Sequence, residues 1–309
     1  MDLSFIVLSW NSRRFLDDCL GSIERDLAGS NLTYEVIVID NGSTDGSLAT
    51  LLAYRDKGYP IVLIALGKNT GTTFSRNAGI RVAQGKYICV LDSDILFCQE
   101  KTVETLVQAL ETEPRAGIVA PMLRYPSGNH QKSFDKFPTA TTKIKRLFLL
   151  REMEKLEGLQ QFHARNLIEV DYVISAFWLF SRELVDSIGL LDENIFYAPE
   201  DVDFCLRSWL GGFPVLFCSG VKVIHQAQEI SRRKPFSKSA RMHLLGLAYY
   251  FRKYGYVFRL DGVYARIQVA VAAREKLLVP PDMEKVLAPA SVPASTPVGL
   301  AIRDRVLPP

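Results

Sequence analysis

Four short apolar runs, each released into a polar turn and then a stretch of helical length, constrain this chain more than any other feature. They are Leu3 to Ser9 (LSFIVLS), Glu35 to Ile39 (EVIVI), Pro60 to Ala65 and Lys86 to Leu91. Inside the runs apolar residues follow one another without alternation, and Val, Ile and Leu predominate. That pattern suits strands covered on both faces rather than strands with one wet side. The stretches between them predict helices: from a cap at Asn11 or Ser12 through about Leu27, from Ser47 to Lys57, and from Thr73 to Ala83. Strand and helix alternating in this way predict a doubly wound, mostly parallel α/β sheet with helices on both faces.

The polar residues at the strand exits carry the chemistry, because open α/β sheets bind ligands outside the carboxyl ends of their strands. The second strand ends in Asp40-Asn41-Gly42-Ser43-Thr44-Asp45-Gly46, a turn that delivers a carboxylate to the edge. The third gives way to the flexible loop Gly67-Lys68-Asn69-Thr70-Gly71. The fourth runs straight into Asp92-Ser93-Asp94. Two carboxylates at such an edge suit a divalent cation, held through oxygen and shared with a bound phosphate. The plain alternative is a solvated strand end. A second Asp-x-Asp, Asp201-Val202-Asp203, falls in a helix-like stretch, where residues two apart do not share a face and chelate poorly.

Beyond the fourth strand a helix is expected from Glu100 to Glu111 and a strand from Gly117 to Ala120. The rhythm then stops. Residues 123–168 are polar and irregular, with a basic, partly helical piece from Thr142 to Leu159. Strand character returns from Glu169 to Phe180, and Gly189 to Glu193 reads as a turn. Pro199-Glu200-Asp201 opens a helix, Val202 to Leu210, which Gly211-Gly212 stops. Strands follow at Pro214 to Phe217 and Val221 to His225, then a basic loop (SRRKPFSKSAR) and an aromatic helix from His243 to Tyr254. The tail from Pro280, rich in Pro, Ala and Val, is expected to be poorly ordered.

Composition excludes several classes. The net charge of +3 is too small to argue for nucleic acid, and no basic stripe is interleaved with aromatics. The five cysteines, Cys19, Cys89, Cys98, Cys205 and Cys218, are odd in number and form no C-x-x-C, as expected of buried thiols in a reducing compartment. The start lacks a basic n-region, and no apolar run reaches the length of a membrane span, so a cytoplasmic protein is expected. The Gly-x-Gly-x-x-Gly of dinucleotide folds is absent, as is the Gly-x-x-x-x-Gly-Lys-Ser/Thr of phosphate loops.

Taken together, FIVLSWN, IDNGSTDG, GKNTGTTFSRNAGI, LDSD, FYAPEDVDFCLR and VKVIH resemble the family 2 glycosyltransferases of the GT-A fold, rhamnosyltransferase-like members above all. The likeness covers roughly residues 3–255. It implies a GT-A domain over 1–235, with a nucleotide-sugar half at 1–120 and an acceptor and catalytic half at 121–235. A helical extension and tail would occupy 236–309. It implies that Asp40 reads the nucleobase and that Ser9 and Asn11 line the nucleoside pocket. Arg76, with Lys68, Asn69 and Ser93, would contact the donor. Asp92, Asp94 and His225 would hold Mn²⁺ or Mg²⁺. Asp201 would be the catalytic base, with Glu200 and Trp178 on the acceptor side.

The chemistry accounts for these residue types. A departing diphosphate gathers negative charge that a divalent ion stabilises. An acceptor hydroxyl needs a carboxylate to take its proton. One base facing the anomeric carbon gives inversion. The expected activity is transfer from a UDP- or dTDP-sugar to a glycan or lipid-linked acceptor in polysaccharide or cell-envelope synthesis. Peripheral contact with anionic membrane, on the inner face, is expected from basic residues beside apolar ones in Lys143 to Leu150 and Arg232 to Phe258.

Duller readings compete at each position. Asp201 and Glu200 suit a helix N-terminus as caps. His225 could be an ordinary hydrogen-bonded histidine, Arg76 a partner for a helix neighbour, and Trp178 a core residue. A sugar-phosphate nucleotidyltransferase and a non-catalytic scaffold of a glycan-assembly complex remain as alternative functions. The glycine-rich signature of the first is missing at Ser9-Trp10-Asn11-Ser12-Arg13, and the intact acids argue against the second.

Overall fold

The computed structural model describes residues 1–144, 166–226, 238–278 and 305–306. The first half follows the alternation read from sequence: β1 (Leu3–Ser9), α1 (Arg13–Leu27), β2 (Tyr34–Asp40), α2 (Ser47–Asp56), β3 (Ile61–Ala65), α3 (Thr72–Val82) and β4 (Tyr87–Asp92). Strand β1 pairs in parallel with β2 and β4, and β2 with β3. Side chains of β1 alternate between two cores. Leu3, Phe5 and Val7 pack with Leu16, Leu20 and Ile23 of α1, whereas Ile6 packs with Ile80 of α3 on the opposite face. Ser12 holds the N-cap position of α1, but its hydroxyl makes no cap bond and meets Ser9 Oγ at 2.7 Å instead.

The second half comprises β5 (Ile95–Phe97), α4 (Thr102–Thr112), β6 (Ile118–Arg124), β7 (Phe134–Asp135), β8 (Asn166–Glu169), β9 (Tyr172–Val173), β10 (Phe177–Ser181), α5 (Arg182–Ile188), α6 (Glu200–Leu210), β11 (Val215–His225), α7 (Lys238–Tyr254), α8 (Asp261–Leu278) and β12 (Arg305–Val306). Sheet order is β12-β8-β11-β6-β10-β4-β1-β2-β3, with β5 attached to β11. The sheet is parallel through β3-β2-β1-β4 and again at β6-β11, but β10 lies antiparallel between β4 and β6. Helices α1, α2 and α4 cover one face, and α3, α5, α6, α7 and α8 cover the other.

Several expected elements differ. The run from Glu169 to Phe180 is divided among β8, β9 and β10, and the two runs around Cys218 are one strand, β11, with a register shift between Cys218 and Lys222. That shift spans Gly220, a residue suited to a bulge. Strand β5 and helix α5 have too few residues to leave a periodic signal. The basic piece from Thr142 lies outside the described residues beyond Ile144, as do residues 227–237, which include much of the basic loop, and 279–304 and 307–309 of the tail.

The C-terminal helices share the core of the sheet, where Tyr250, Val263 and Ile267 are buried. Polar ties fix them. Lys253 Nζ reaches Asp192 at 2.7 Å and Asp203 at 2.6 Å, and Tyr249 Oη donates to Asp192 at 2.9 Å. Burial works against the charge on Asp192, yet bonds from Lys253, the Asn194 amide and Tyr249 outweigh it and hold the carboxyl at about 2. A depressed carboxylate contributes stability above its unfolded value near 4 and loses it as pH falls through 2. Asp192→Asn is therefore predicted to cost about 1–2 kcal/mol at neutral pH and progressively less as the pH falls from about 4 through 2. Urea unfolding of both proteins across that range checks it; a difference at pH 2 as large as at neutral pH contradicts the assignment.

Candidate active site

Strand β4 carries Asp92 to the carboxyl edge, where backbone bonds pin the turn that follows. Asp92 N donates to Ala176 O at 3.0 Å and Ser93 N to Leu8 O at 3.2 Å, leaving Ser93 itself buried. The chain then enters β5, which pairs antiparallel with the end of β11 and sets Ile95 opposite His225. Gln226 N donates to Asp94 O at 2.9 Å. This pairing, invisible in the sequence, brings His225 Nε2 to 3.4 Å from Asp94 Oδ1, across 131 positions of chain. Ligand atoms of Asp92, Asp94 and His225 all fall within 4.8 Å of one another. Among the described residues, Asp94 Oδ1 and His225 Nδ1 are buried without a hydrogen bond. Two carboxylates and an imidazole with buried, unpaired ligand atoms fit a cation such as Mn²⁺ or Mg²⁺. Burial pulls His225 down, but the carboxylates of Asp94 and Asp92 beside it outweigh this and raise it. Burial raises Asp92 despite the pull of Arg76.

Arg76, expected to contact the donor, is 1% exposed on α3: both terminal guanidinium nitrogens are bonded inside the protein, and its Nε is buried with no partner among the described residues. Its Nη2 donates to Asp92 Oδ1 at 2.8 Å and to Ser175 O at 3.0 Å, and its Nη1 donates to Glu200 Oε1 at 3.2 Å. Ser175 Oγ donates to the same glutamate oxygen at 2.9 Å. The guanidinium thus ties the metal-facing aspartate to the first residue of α6. Trp178 also departs from expectation: it is wholly buried in β10, stacked on Phe204, with Nε1 donating to Val173 O. A fully buried indole cannot face an acceptor.

Helix α6 presents three acids that the structure separates by environment. Burial and the charge of Asp201 push Glu200 up to about 8, so it is largely protonated at neutral pH. Asp203 is buried and bonded to Arg207, Lys253 and Tyr254, which removes it as a base. Asp201 is half-buried, and its Oδ1 accepts from Val202 N at 2.8 Å. Burial raises Asp201, outweighing Val202 N and the positive charge of Lys143. The expectation that the helix N-terminus favours its charged form is thus reversed by desolvation, which makes it a stronger proton acceptor.

At the other end of the edge, Asp40 Oδ2 accepts from Ser43 N at 3.2 Å while its Oδ1 is buried with no partner among the described residues. That orphan acceptor suits an N–H of a ligand. Ser9 is fully buried against Ser12, so it does not line a nucleoside site as expected. Asn11 is spent on the fold too: its Oδ1 accepts from Thr44 N at 2.8 Å. Lys68 and Asn69 are exposed, and Asn69 Oδ1 accepts from Gly71 N at 3.0 Å. Gly71 has φ +86°, and a Cβ there would stand 2.1 Å from Phe196 O, so the loop leans directly on the second half. Three residues escaped sequence reasoning. Asn41 accepts from Thr70 N at 2.8 Å, and Asn77 exchanges bonds with the backbone of Leu191. Trp10, an exposed indole directly after β1, is one register step from Asp40. An aromatic at a strand exit was the available signal.

The family model for Glycosyl transferase family 2 matches residues 4–189. The chain belongs to this family. Over 93 residues this family 2 chain is 42% identical to the succinoglycan biosynthesis protein ExoO of Rhizobium meliloti, a match covering 30% of this chain and 25% of that protein. It is 32% identical over 109 residues to the putative teichuronic acid biosynthesis glycosyltransferase TuaG of Bacillus subtilis, covering 35% and 42% respectively. The chain therefore spans only about a quarter to two fifths of the length of these curated relatives. Among solved structures it is similar to the mannosyltransferase PcManGT of Pyrobaculum calidifontis, in complex with GDP-Man and Mn²⁺, with a TM-score of 0.53 at 16% identity over 92% of this chain and 78% of that one. That likeness shows the GT-A fold. Among the described residues, no helix is long and apolar enough to cross a membrane.

Proposed function

We propose that this family 2 chain is an inverting, metal-dependent transferase. It moves a sugar, a hexose or a rhamnose, from a UDP- or dTDP-sugar to an acceptor hydroxyl. The acceptor belongs to a polysaccharide, cell-envelope or lipid-linked glycan, and the reaction runs on the cytoplasmic side, with peripheral contact to anionic membrane. The observation that carries this reading is the meeting of Asp92, Asp94 and His225 within 4.8 Å at a strand edge. Residues 1–120 form the donor half and 121–235 the acceptor half.

In this reading Asp40 Oδ1 accepts an N–H of the nucleobase, and Trp10 stacks on it. Asp92, Asp94 and His225 would hold the cation, which would supply positive charge to stabilise a departing diphosphate. Arg76 fixes Asp92 and, through Glu200, the start of α6. Glu200, protonated, leaves the negative charge at that helix end to Asp201. Asp201 takes the proton of the acceptor hydroxyl as it attacks the anomeric carbon from the face opposite the leaving diphosphate.

Thermal shift against a panel of nucleotide sugars with Mn²⁺, followed by product analysis, tests the reading. Specific stabilisation by one UDP- or dTDP-sugar and release of the nucleoside diphosphate are expected. Release of pyrophosphate from a nucleoside triphosphate would replace it with nucleotidyl transfer, and partner binding without any turnover would replace it with a scaffold.

A further inference from the structure

Half of the exposed large hydrophobic side chains among the described residues, seven of fourteen, fall within residues 244–278. They lie on the C-terminal helix pair. On α7 the outward positions Arg241, Leu244, Leu245, Ala248 and Arg252 fall at i, i+3, i+4, i+7 and i+11, one continuous face with cations at both ends. Leu244 is 68% exposed. The connection to α8 adds the exposed pair Val257 and Phe258. On α8, Val269 and Leu277 project outward, and Leu277 is 82% exposed, with Arg266 and Lys276 between and beside them.

Charge follows the same distribution. Residues 238–278 hold eight Lys and Arg against two Asp and Glu, while the whole chain carries a net charge of only +3. Both acids are already paired, Asp261 with Arg259 and Glu275 with Arg115. We propose that the outer face of α7, its connection to α8, and α8 is a docking surface for an anionic lipid bilayer, lying on the bilayer without crossing it. Leucine and phenylalanine entering the acyl boundary between snorkelling cations is the chemistry such a surface requires. A second copy of the same face would set cations against cations. A nucleic acid backbone would satisfy the cations and leave the Leu and Phe side chains in water.

The surface adjoins the acceptor side. Gly246, on the inward side of α7, lies so close to the segment before α6 that a Cβ there would stand 2.0 Å from Ala198 O. Asp201 follows three residues later. Docking on α7 would therefore hold Asp201 beside the lipid, where a bilayer-held acceptor is presented; the surface gives a place to the membrane contact of the proposed function, and this last step rests on its transferase reading as well.

Co-sedimentation of the full chain with phosphatidylcholine vesicles, with and without phosphatidylglycerol, tests the surface. The wild type is expected to bind only the anionic vesicles and to be released by salt. The double variant Arg241→Ser/Arg252→Ser should bind on the order of twentyfold more weakly, from roughly fivefold per cation. Leu244→Ser/Phe258→Ser should also lose binding. Both should keep the wild-type thermal shift with UDP and Mn²⁺, which shows an intact fold and donor site. Failure of the wild type to bind anionic vesicles overturns the proposal. So does undiminished binding by either variant, or a dimer in sedimentation velocity that these substitutions dissolve. Vesicle binding without any nucleotide response would leave the surface standing and remove the transferase reading.

Discussion

Asp201→Asn will lower sugar transfer by about 10²–10⁴-fold and leave donor affinity nearly unchanged. The carboxylate is half-buried at the first turn of α6, and burial raises its proton affinity. Its neighbours cannot take over. Asp203 is held by Arg207, Lys253 and Tyr254, and Glu200 is pushed up to about 8 and bonded to Arg76 and Ser175. Asn preserves the shape and still accepts from Val202 N, so a merely capping Asp201 would tolerate it with almost no change in activity. The loss should appear in turnover rather than in donor binding, because the proton moves only as the acceptor attacks. Rates and donor affinities measured on the same protein decide the matter. Near-normal transfer by Asp201→Asn would place the base elsewhere.

Arg76→Met will destabilise the protein by about 3 kcal/mol. The substitution leaves Asp92, Glu200 and Ser175 O without the donor that now bonds all three. Removing one partner of a buried ion pair costs more than the pair itself is worth, because the remaining charge stays desolvated. Two features temper the cost: the Asp92 side chain is 32% exposed, and Glu200 can remain protonated. Arg76→Lys should recover only part, since an ammonium lacks the planar fork that spans two carboxylates. The exposed pair Arg81–Glu193 is the control, and Arg81→Met should cost less than about 1 kcal/mol. Urea midpoints of the three variants test this order; equal midpoints for Arg76→Met and Arg81→Met would contradict it.

The first half was legible because local signals and fold agreed there. Buried parallel strands require unbroken apolar runs, and FIVLS, EVIVI and YICVL announce them within a residue or two. The second half is held by long-range contacts that leave little local trace. Strand β5 has three residues, yet it sets His225 beside Asp94. Residue type found Arg76, but only the fold shows that its partners are Asp92 and Glu200, 16 and 124 positions away. Trp178 and Ser9 were misplaced for a related reason. Sequence gives their nearness to the sheet edge, while the direction of a side chain at that edge depends on strand register and on helices that arrive much later in the chain.

Asp92, Asp94 and His225 are proposed to hold the cation through which donor binding becomes metal-dependent. Calorimetric titration of UDP and of dTDP into the wild type and into Asp92→Ala and Asp94→Ala, with Mn²⁺ and again with chelator, tests it most directly. Mn²⁺ is expected to strengthen binding of one nucleotide to the wild type by an order of magnitude or more, roughly 1.4 kcal/mol for each factor of ten. The gain should disappear in both variants while their folded signal persists. Nucleotide affinity that is the same with Mn²⁺ and with chelator, in the wild type and in both variants alike, would contradict it.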